Sequence, residues 1–364
     1  ITFSDNTTVI GKLLGHKILV SIGLISYSLY LWHQPLFAFL RMKTIGEPSE
    51  CMFIISIVVI FFLSIFSYKY IETPFRIKKN ITRKEIFQWS TVFISTFLII
   101  GLSGHIAKGY EGRFNESPYL KTAQFSPKRK ECHTKGENYL KPKDACKYMD
   151  GKVTWASFGD SHTVEPAYAL AEMLKQYNEG LLHLSFSGCA PSLLFEVNQL
   201  GCSKWVNESV EYLESHNSIK NILLGFRYSG FLFGDHSGSY PHIPDVDPIV
   251  YFSNPRPGLD AREMYWKSFS EIIHRLLASG KNIYLIYPIP ELPVHISKVS
   301  SPFSIFGNKT LLDVKKTISS RYYFDRNNFI LSHLDTLPYG KNLHAIKPFE
   351  ILCDKEYCPA VIDN

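Results

Sequence analysis

Hydrophobic positions divide this chain into two regimes. Three early stretches are almost uninterrupted apolar sequence: Ile18 to Leu40, Cys51 to Ile71, and Phe87 to about Ala107. Each reaches the roughly 20 residues that a membrane-crossing helix needs. From Lys152 onward the pattern changes to short apolar runs, at Val153–Phe158, Leu181–Phe186, Asn221–Phe226 and Asn282–Tyr287, which read as buried parallel strands. Helical periodicity lies between some of them, notably over Glu165–Tyr177 and Ala261–Ala278. Strands alternating with helices predict an α/β domain with a parallel sheet over residues 151–364. Residues 108–150 show no sustained period and are rich in Gly, Pro, Lys and Asn, so they are expected to form a linker.

Charge orients the three expected spans. Arg76, Lys78, Lys79, Arg83 and Lys84 cluster between the second and third, which assigns that loop to the cytoplasm. Everything after residue 108 is then exported, to the periplasm in a bacterium. The net charge of +6 is modest, and no basic stripe marks a nucleic-acid-binding element. Cysteine usage points to the same side. Cys51 stands alone in an apolar stretch and is expected to be buried. The other six, Cys132, Cys146, Cys189, Cys202, Cys353 and Cys358, form an even set with local spacing. Six cysteines allow 15 connectivities, of which nearest-neighbour pairing (132–146, 189–202, 353–358) is the most economical. A zinc site is the competing reading, disfavoured because no Cys-x-x-Cys pair is present.

The candidate chemistry starts at Phe158-Gly-Asp-Ser-His162. An apolar run ends in a tight turn, and a helical pattern follows. That lifts Ser161 out of the sheet at a helix N-terminus, where free N–H groups favour developing negative charge. The alternative for Ser161 is helix capping. In an open parallel sheet the site lies beyond the strand C-termini, so Ser161, Gly188, Arg227 and Pro288 are expected to gather on one edge.

These residues resemble the SGNH hydrolase-like superfamily, with Phe158-Gly-Asp-Ser-His162 as its first block. The resemblance implies that Ser161 is the nucleophile and that Gly188, in Ser185-Phe-Ser-Gly-Cys-Ala-Pro191, donates its backbone N–H to the oxyanion. The third block is usually an asparagine. Here Leu224-Gly-Phe-Arg-Tyr-Ser229 places Arg227 there, as an oxyanion or substrate contact or as a surface arginine. The fourth block, Asp-x-x-His, occurs nowhere in the 364 residues. His162, His333 and His344 are poor candidates for its histidine.

Ile25-Ser-Tyr-Ser-Leu-Tyr-Leu-Trp-His-Gln-Pro35 and Tyr70-Ile-Glu-Thr-Pro-Phe-Arg76 resemble the last segments of the acyltransferase-3 family. One branch of that family carries an exported SGNH domain joined by an extra span. Cys353-Asp-Lys-Glu-Tyr-Cys358-Pro resembles the cysteine-bounded loop that precedes Asp-x-x-His in that branch. By this resemblance both ends are expected to be cut, with about seven further spans before Ile1. His33 and Glu72 are polar groups within or beside the spans; neither is given a catalytic role.

The resemblance implies an O-acetyltransferase of the bacterial inner membrane. Acetyl-CoA would be the acyl donor of the intact protein, and the acceptor a hydroxyl of a surface polysaccharide such as lipopolysaccharide O-antigen. The bilayer and the glycan would be its partners, with no metal and no bound cofactor. Two alternatives remain: a carbohydrate acetyl esterase using the same serine, and a membrane-tethered glycan-binding remnant without activity.

Overall fold

A computed structural model describes residues 8–43, 48–76, 82–110, 125–234, 240–243, 248, 250, 252–254, 257–293 and 316–362. The chain separates into two units: residues 1–117 with 302–309, and residues 118–301 with 310–364.

The first unit is helical. Helix α1 spans Lys17–Lys43 and accommodates Pro35 within it. Helix α2 spans Glu50–Ser67 and runs through a π turn at Tyr68–Glu72 into Thr73–Arg76. Helix α3, Arg83–Ile106, opens with a capping box in which Thr82 and Glu85 satisfy each other's backbone N–H. Among the described residues, two helical stretches have the length and apolarity to cross a membrane, Glu50–Arg76 and Arg83–Ile106. The expected first span does form a helix, but it is not one of that pair. Two polar contacts join α1 to α2: Trp32 Nε1 donates to Ser67 Oγ at 2.8 Å, and Ser28 Oγ donates to Glu72 at 3.1 Å. Glu72 also pairs with Arg76 one turn on. His33 Nδ1 donates to its own helix at Tyr30 O. Cys51, expected to be buried, is exposed: it lies in the first turn of α2, whose apolar surface largely faces outward. Lys78 and Lys79 of the orienting loop lie outside the described residues.

The second unit is built on a six-stranded sheet of order β1-β3-β2-β4-β5-β7. Its strands are β1 Lys147–Tyr148, β2 Lys152–Gly159, β3 Glu179–Ser185, β4 Asn221–Gly225, β5 Asn282–Ile286 and β7 Leu343–Ile346. All pairs are parallel except β1–β3. The four expected strands are present as β2 to β5. A separate two-stranded ribbon pairs β6 (Ile318–Ser319) with β8 (Tyr357–Cys358). The connecting helices are α4 (Val164–Leu174), α5 (Cys202–Ser215), α6 (Tyr228–Phe233), α7 (Ala261–Ala278) and α8 (Ser320–Leu334).

Period-2 alternation in β2 assigns the two faces. Ala156 and Phe158 enter the main core with Leu182, Leu184, Trp205, Ile222, Leu224 and Phe269, under α5 and α7. Trp155 faces the opposite side, where Leu181, Tyr148, Ala167 and Ala171 pack under α4. Residues 125–150 correct the expected linker. Tyr148 is fully buried, β1 extends the sheet, and Cys132 is bridged to Cys146. The polar composition of this stretch concealed a few apolar anchors that the disulfide holds against the sheet. Residues 111–124 of the same expected linker lie outside the described residues.

The connection β2 to β3 goes to one side of β2, and β4 returns to the other. The reversal makes a switch point at the C-terminal ends of β2 and β4, the usual place for a site in such sheets.

Candidate active site

The two strands at the switch point come together through glycines. A Cβ on Gly159 would sit 1.8 Å from Gly225 O, so only hydrogen fits there. Beyond Gly159, Asp160 is extended (φ −94°, ψ −156°), and Ser161–Thr163 forms a 3-10 turn that runs into α4. Ser161 is thus the first residue of a helical run issuing from the centre of the sheet.

Asp160 fixes this turn. It is 1 % exposed, and its carboxylate accepts the His162 N–H at 2.8 Å and the Arg227 N–H at 2.9 Å. One buried side chain therefore ties the turn after β2 to the turn after β4. Burial raises its pKa above the ordinary carboxylate range, opposed by His162 and Arg227. Burial also lowers the pKa of His162; Arg227 adds to that, while Asp160 and Glu291 oppose it. Among the described residues no histidine hydrogen-bonds Ser161 Oγ.

Gly188 stands in the turn after β3. It has φ +63°, the left-handed region that glycine enters without penalty, and a Cβ there would make only ordinary contact with Gln199. Its requirement for glycine is therefore conformational and not steric. No acceptor among the described residues takes the Gly188 N–H. The turn is held on both sides. Ser187 N–H donates to Thr134 O at 2.8 Å, and Gln199 Nε2 donates to Ser187 O at 2.6 Å. Cys189, next to Gly188, is bridged to Cys202 at the start of α5.

Arg227 follows β4 by two residues. Its Nε donates to Glu291 Oε1 at 3.0 Å, and Arg326 Nε donates to Glu291 Oε2 at 2.5 Å. Arg326 is 3 % exposed and also donates to Gly234 O at 2.9 Å. Pro288 O accepts from Tyr323 Oη at 3.0 Å. The strand-end argument thus brings Ser161, Gly188, Arg227 and Pro288 to one edge. It passes over Glu291, three residues beyond Pro288, and Arg326, which lies on a helix that sequence periodicity did not single out.

His333 and His344 lie elsewhere. His333 donates to Phe329 O within α8 and packs on Trp266. His344 sits inside β7, stacked on Tyr284. A buried polar chain missed by sequence reading runs beneath the site on the α4 face. Ser157 Oγ meets His183 Nδ1 at 2.7 Å, His183 Nε2 meets Ser185 Oγ at 2.7 Å, and Ser185 Oγ meets His133 Nδ1 at 2.9 Å. Burial lowers His183 to about 3 and His133 to about 4, so both are neutral at neutral pH. The structure also forms Cys353–Cys358, beside the β6–β8 ribbon, giving all three nearest-neighbour bridges.

Residues 131–364 match the family model described as "SGNH domain (fused to AT3 domains)". The chain belongs to this family. Its curated relatives include the O-acetyltransferase OatA of Staphylococcus aureus (strain NCTC 8325 / PS 47), 38 % identical over 73 residues, or 20 % of this chain and 12 % of that protein. A second Staphylococcus aureus protein (strain MRSA252), whose O-acetyltransferase name is itself provisional, is 34 % identical over 93 residues, or 25 % of this chain and 15 % of that one. The chain therefore aligns with less than one-sixth of the length of these relatives. A solved structure is described as a Corynascus thermopiles (Myceliophthora fergusii) carbohydrate esterase family 2 enzyme plus carbohydrate binding domain. It matches at TM-score 0.28 and 11 % identity, over 54 % of this chain and 56 % of that one, too distant to bear on fold or chemistry. The family and the names of these relatives support chemistry of the acyl-transfer or esterase type.

Proposed function

We propose that this chain is part of a membrane O-acetyltransferase that passes an acetyl group through Ser161 to a hydroxyl of a cell-surface polysaccharide, such as lipopolysaccharide O-antigen. The observation that carries the reading is the placement of Ser161 at the switch point, as the first residue of a helical run, with the Gly188 and Arg227 turns on the same edge.

Ser161 Oγ attacks the acyl carbonyl, the bond between acyl group and donor breaks, and the serine proton leaves on the departing donor group. The tetrahedral oxyanion is stabilised by the Gly188 N–H, with the Ser161 N–H and Arg227 as further donors. A sugar hydroxyl then attacks the acyl-serine and Ser161 recovers its proton. Two ester exchanges replace one direct transfer, as suits a serine nucleophile. Acetyl-CoA is the cytoplasmic acyl donor in this reading. The domain after α3 stands in the periplasm, where disulfides persist. The base of the family pattern, Asp-x-x-His, is not present in this sequence.

The test is intact mass of the full chain, in detergent, after a serine-reactive fluorophosphonate. One adduct that disappears in Ser161→Ala is expected. No adduct, or an equal one in Ser161→Ala, sinks the reading. Acetate release measured against acetyl gain on a glycan then separates esterase from transferase.

A further inference from the structure

Arg227 stands where the SGNH resemblance implies an asparagine, and it is held at its backbone and at its side chain. Asparagine is short and neutral; arginine is long, charged and able to adopt many rotamers. Such a side chain serves a site only if something fixes it. Three features fix this one. The Arg227 backbone N–H is bound by Asp160, so the root of the side chain is anchored to the Ser161 turn. Gly230, one helical turn on, leaves space for the side chain: a Cβ at Gly230 would lie 2.4 Å from Arg227 Nε. The Nε–H is then bound by Glu291 at 3.0 Å.

Glu291 is itself held. Its second oxygen is bound by Arg326, which is almost wholly buried and whose Nη2 is tied to Gly234 O. The Glu291 side chain is 19 % exposed and that of Arg227 30 %, so the order of burial runs from Arg326 outward to Arg227. The Glu291 carboxylate spans the two guanidinium groups, and its bond to Nε sets the plane of the one on Arg227.

We propose that Glu291 is a positioning residue that holds the Arg227 guanidinium beside the Ser161 turn, with Arg326 as its buried anchor. This rests on the acyl-serine reading for its consequence, although the clamp itself stands on geometry. Glu291 touches no reacting atom; it acts through Arg227.

The test measures Arg227 directly in the full chain, by phenylglyoxal modification read through peptide mass spectrometry. Glu291→Gln is expected to raise the Arg227 modification rate by about tenfold or more, the factor given by the weak end of the range for hydrogen bonds to charged groups. Glu291→Asp, which keeps the charge, is expected to restore part of the protection. Arg275, paired with Glu214 on other elements, serves as the internal control and is expected not to change. In parallel, the rate of fluorophosphonate reaction at Ser161 is expected to fall in Glu291→Gln, and to fall no further when Arg227→Gln is added. An unchanged Arg227 rate overturns the clamp. Equal rises at Arg227 and Arg275 mean general loosening and also overturn it. A faster Arg227 with an unchanged Ser161 rate overturns the positioning role alone and leaves the acyl-serine reading intact. A wild-type chain without reaction at Ser161 overturns that reading and this inference with it.

Discussion

The disulfide Cys189–Cys202 offers the most direct test of how the site is built. Replacing both cysteines with alanine removes the covalent tie between the Gly188 turn and the start of α5. The bridge spans a sequence separation of 13. Loop-closure entropy for a ring of that size corresponds to ~3 kcal/mol, on the model in which a disulfide acts mainly on the unfolded chain. Both cysteines are fully buried in the main core, so the lost sulfur packing adds to that figure. For a domain of this size each kcal/mol moves the melting point by about 2–4 °C, so a fall of about 6–12 °C is expected by scanning fluorimetry of the full chain. The functional consequence is separate. Gly188 retains its other ties, Ser187 to Thr134 and Gln199 to Ser187, but loses the one adjacent to it. The rate of Ser161 reaction with a fluorophosphonate is therefore expected to fall even well below the new melting point. A melting point within about 2 °C of the native value would refute the stability argument. A lowered melting point with an unaltered Ser161 rate would refute the claim that this bridge sets the Gly188 turn.

The remaining predictions concern single groups around that turn. Asp160→Asn keeps the shape but turns one acceptor into a donor facing a backbone N–H, so a loss of about 1–3 kcal/mol is expected in chemical denaturation; wild-type stability would show that Asp160 is not the tie between the β2 and β4 turns. Gly188→Ala meets no clash, so its penalty is the left-handed backbone, about 1–2 kcal/mol, and the larger loss is expected in Ser161 reactivity; a normal reaction rate would remove Gly188 from the oxyanion site. The buried histidines set an acid limit. His133 and His183 have folded pKa values below the ordinary histidine value of 6.5, at about 4 and about 3, so below 6.5 the unfolded chain binds more protons than the folded one. Stability is therefore present in full above pH 6.5 and declines as pH falls towards 4 and 3. Melting curves from pH 7 to 4 should show that decline, and His183→Gln should flatten it; an unchanged slope would mean that the His183 ring is not held neutral by burial.

How much of this was legible in the sequence follows from which interactions are local. Strands β2 to β5 could be read because each is a short, dense apolar run bounded by polar turns, and full burial on both faces demands that composition. Strand β7, Leu-His-Ala-Ile, carries too little apolar signal; it is specified by pairing with β5 and by His344 stacking on Tyr284, both long-range. Residues 125–150 read as a linker because local composition dominates there, whereas their order comes from Tyr148, from Cys132–Cys146 and from pairing with β3. The same division runs through the site. Ser161 and Gly188 announce themselves through a turn that follows a strand, and a turn is local. Asp160 stands next to Ser161, yet its work is done on Arg227, 67 residues away. Glu291 binds Arg227 across 64 residues and Arg326 across 35. A lone glutamate after Pro288-Ile-Pro290 has no local pattern to mark it. It becomes visible only in the fold, where its two carboxylate oxygens bind Arg227 Nε and Arg326 Nε.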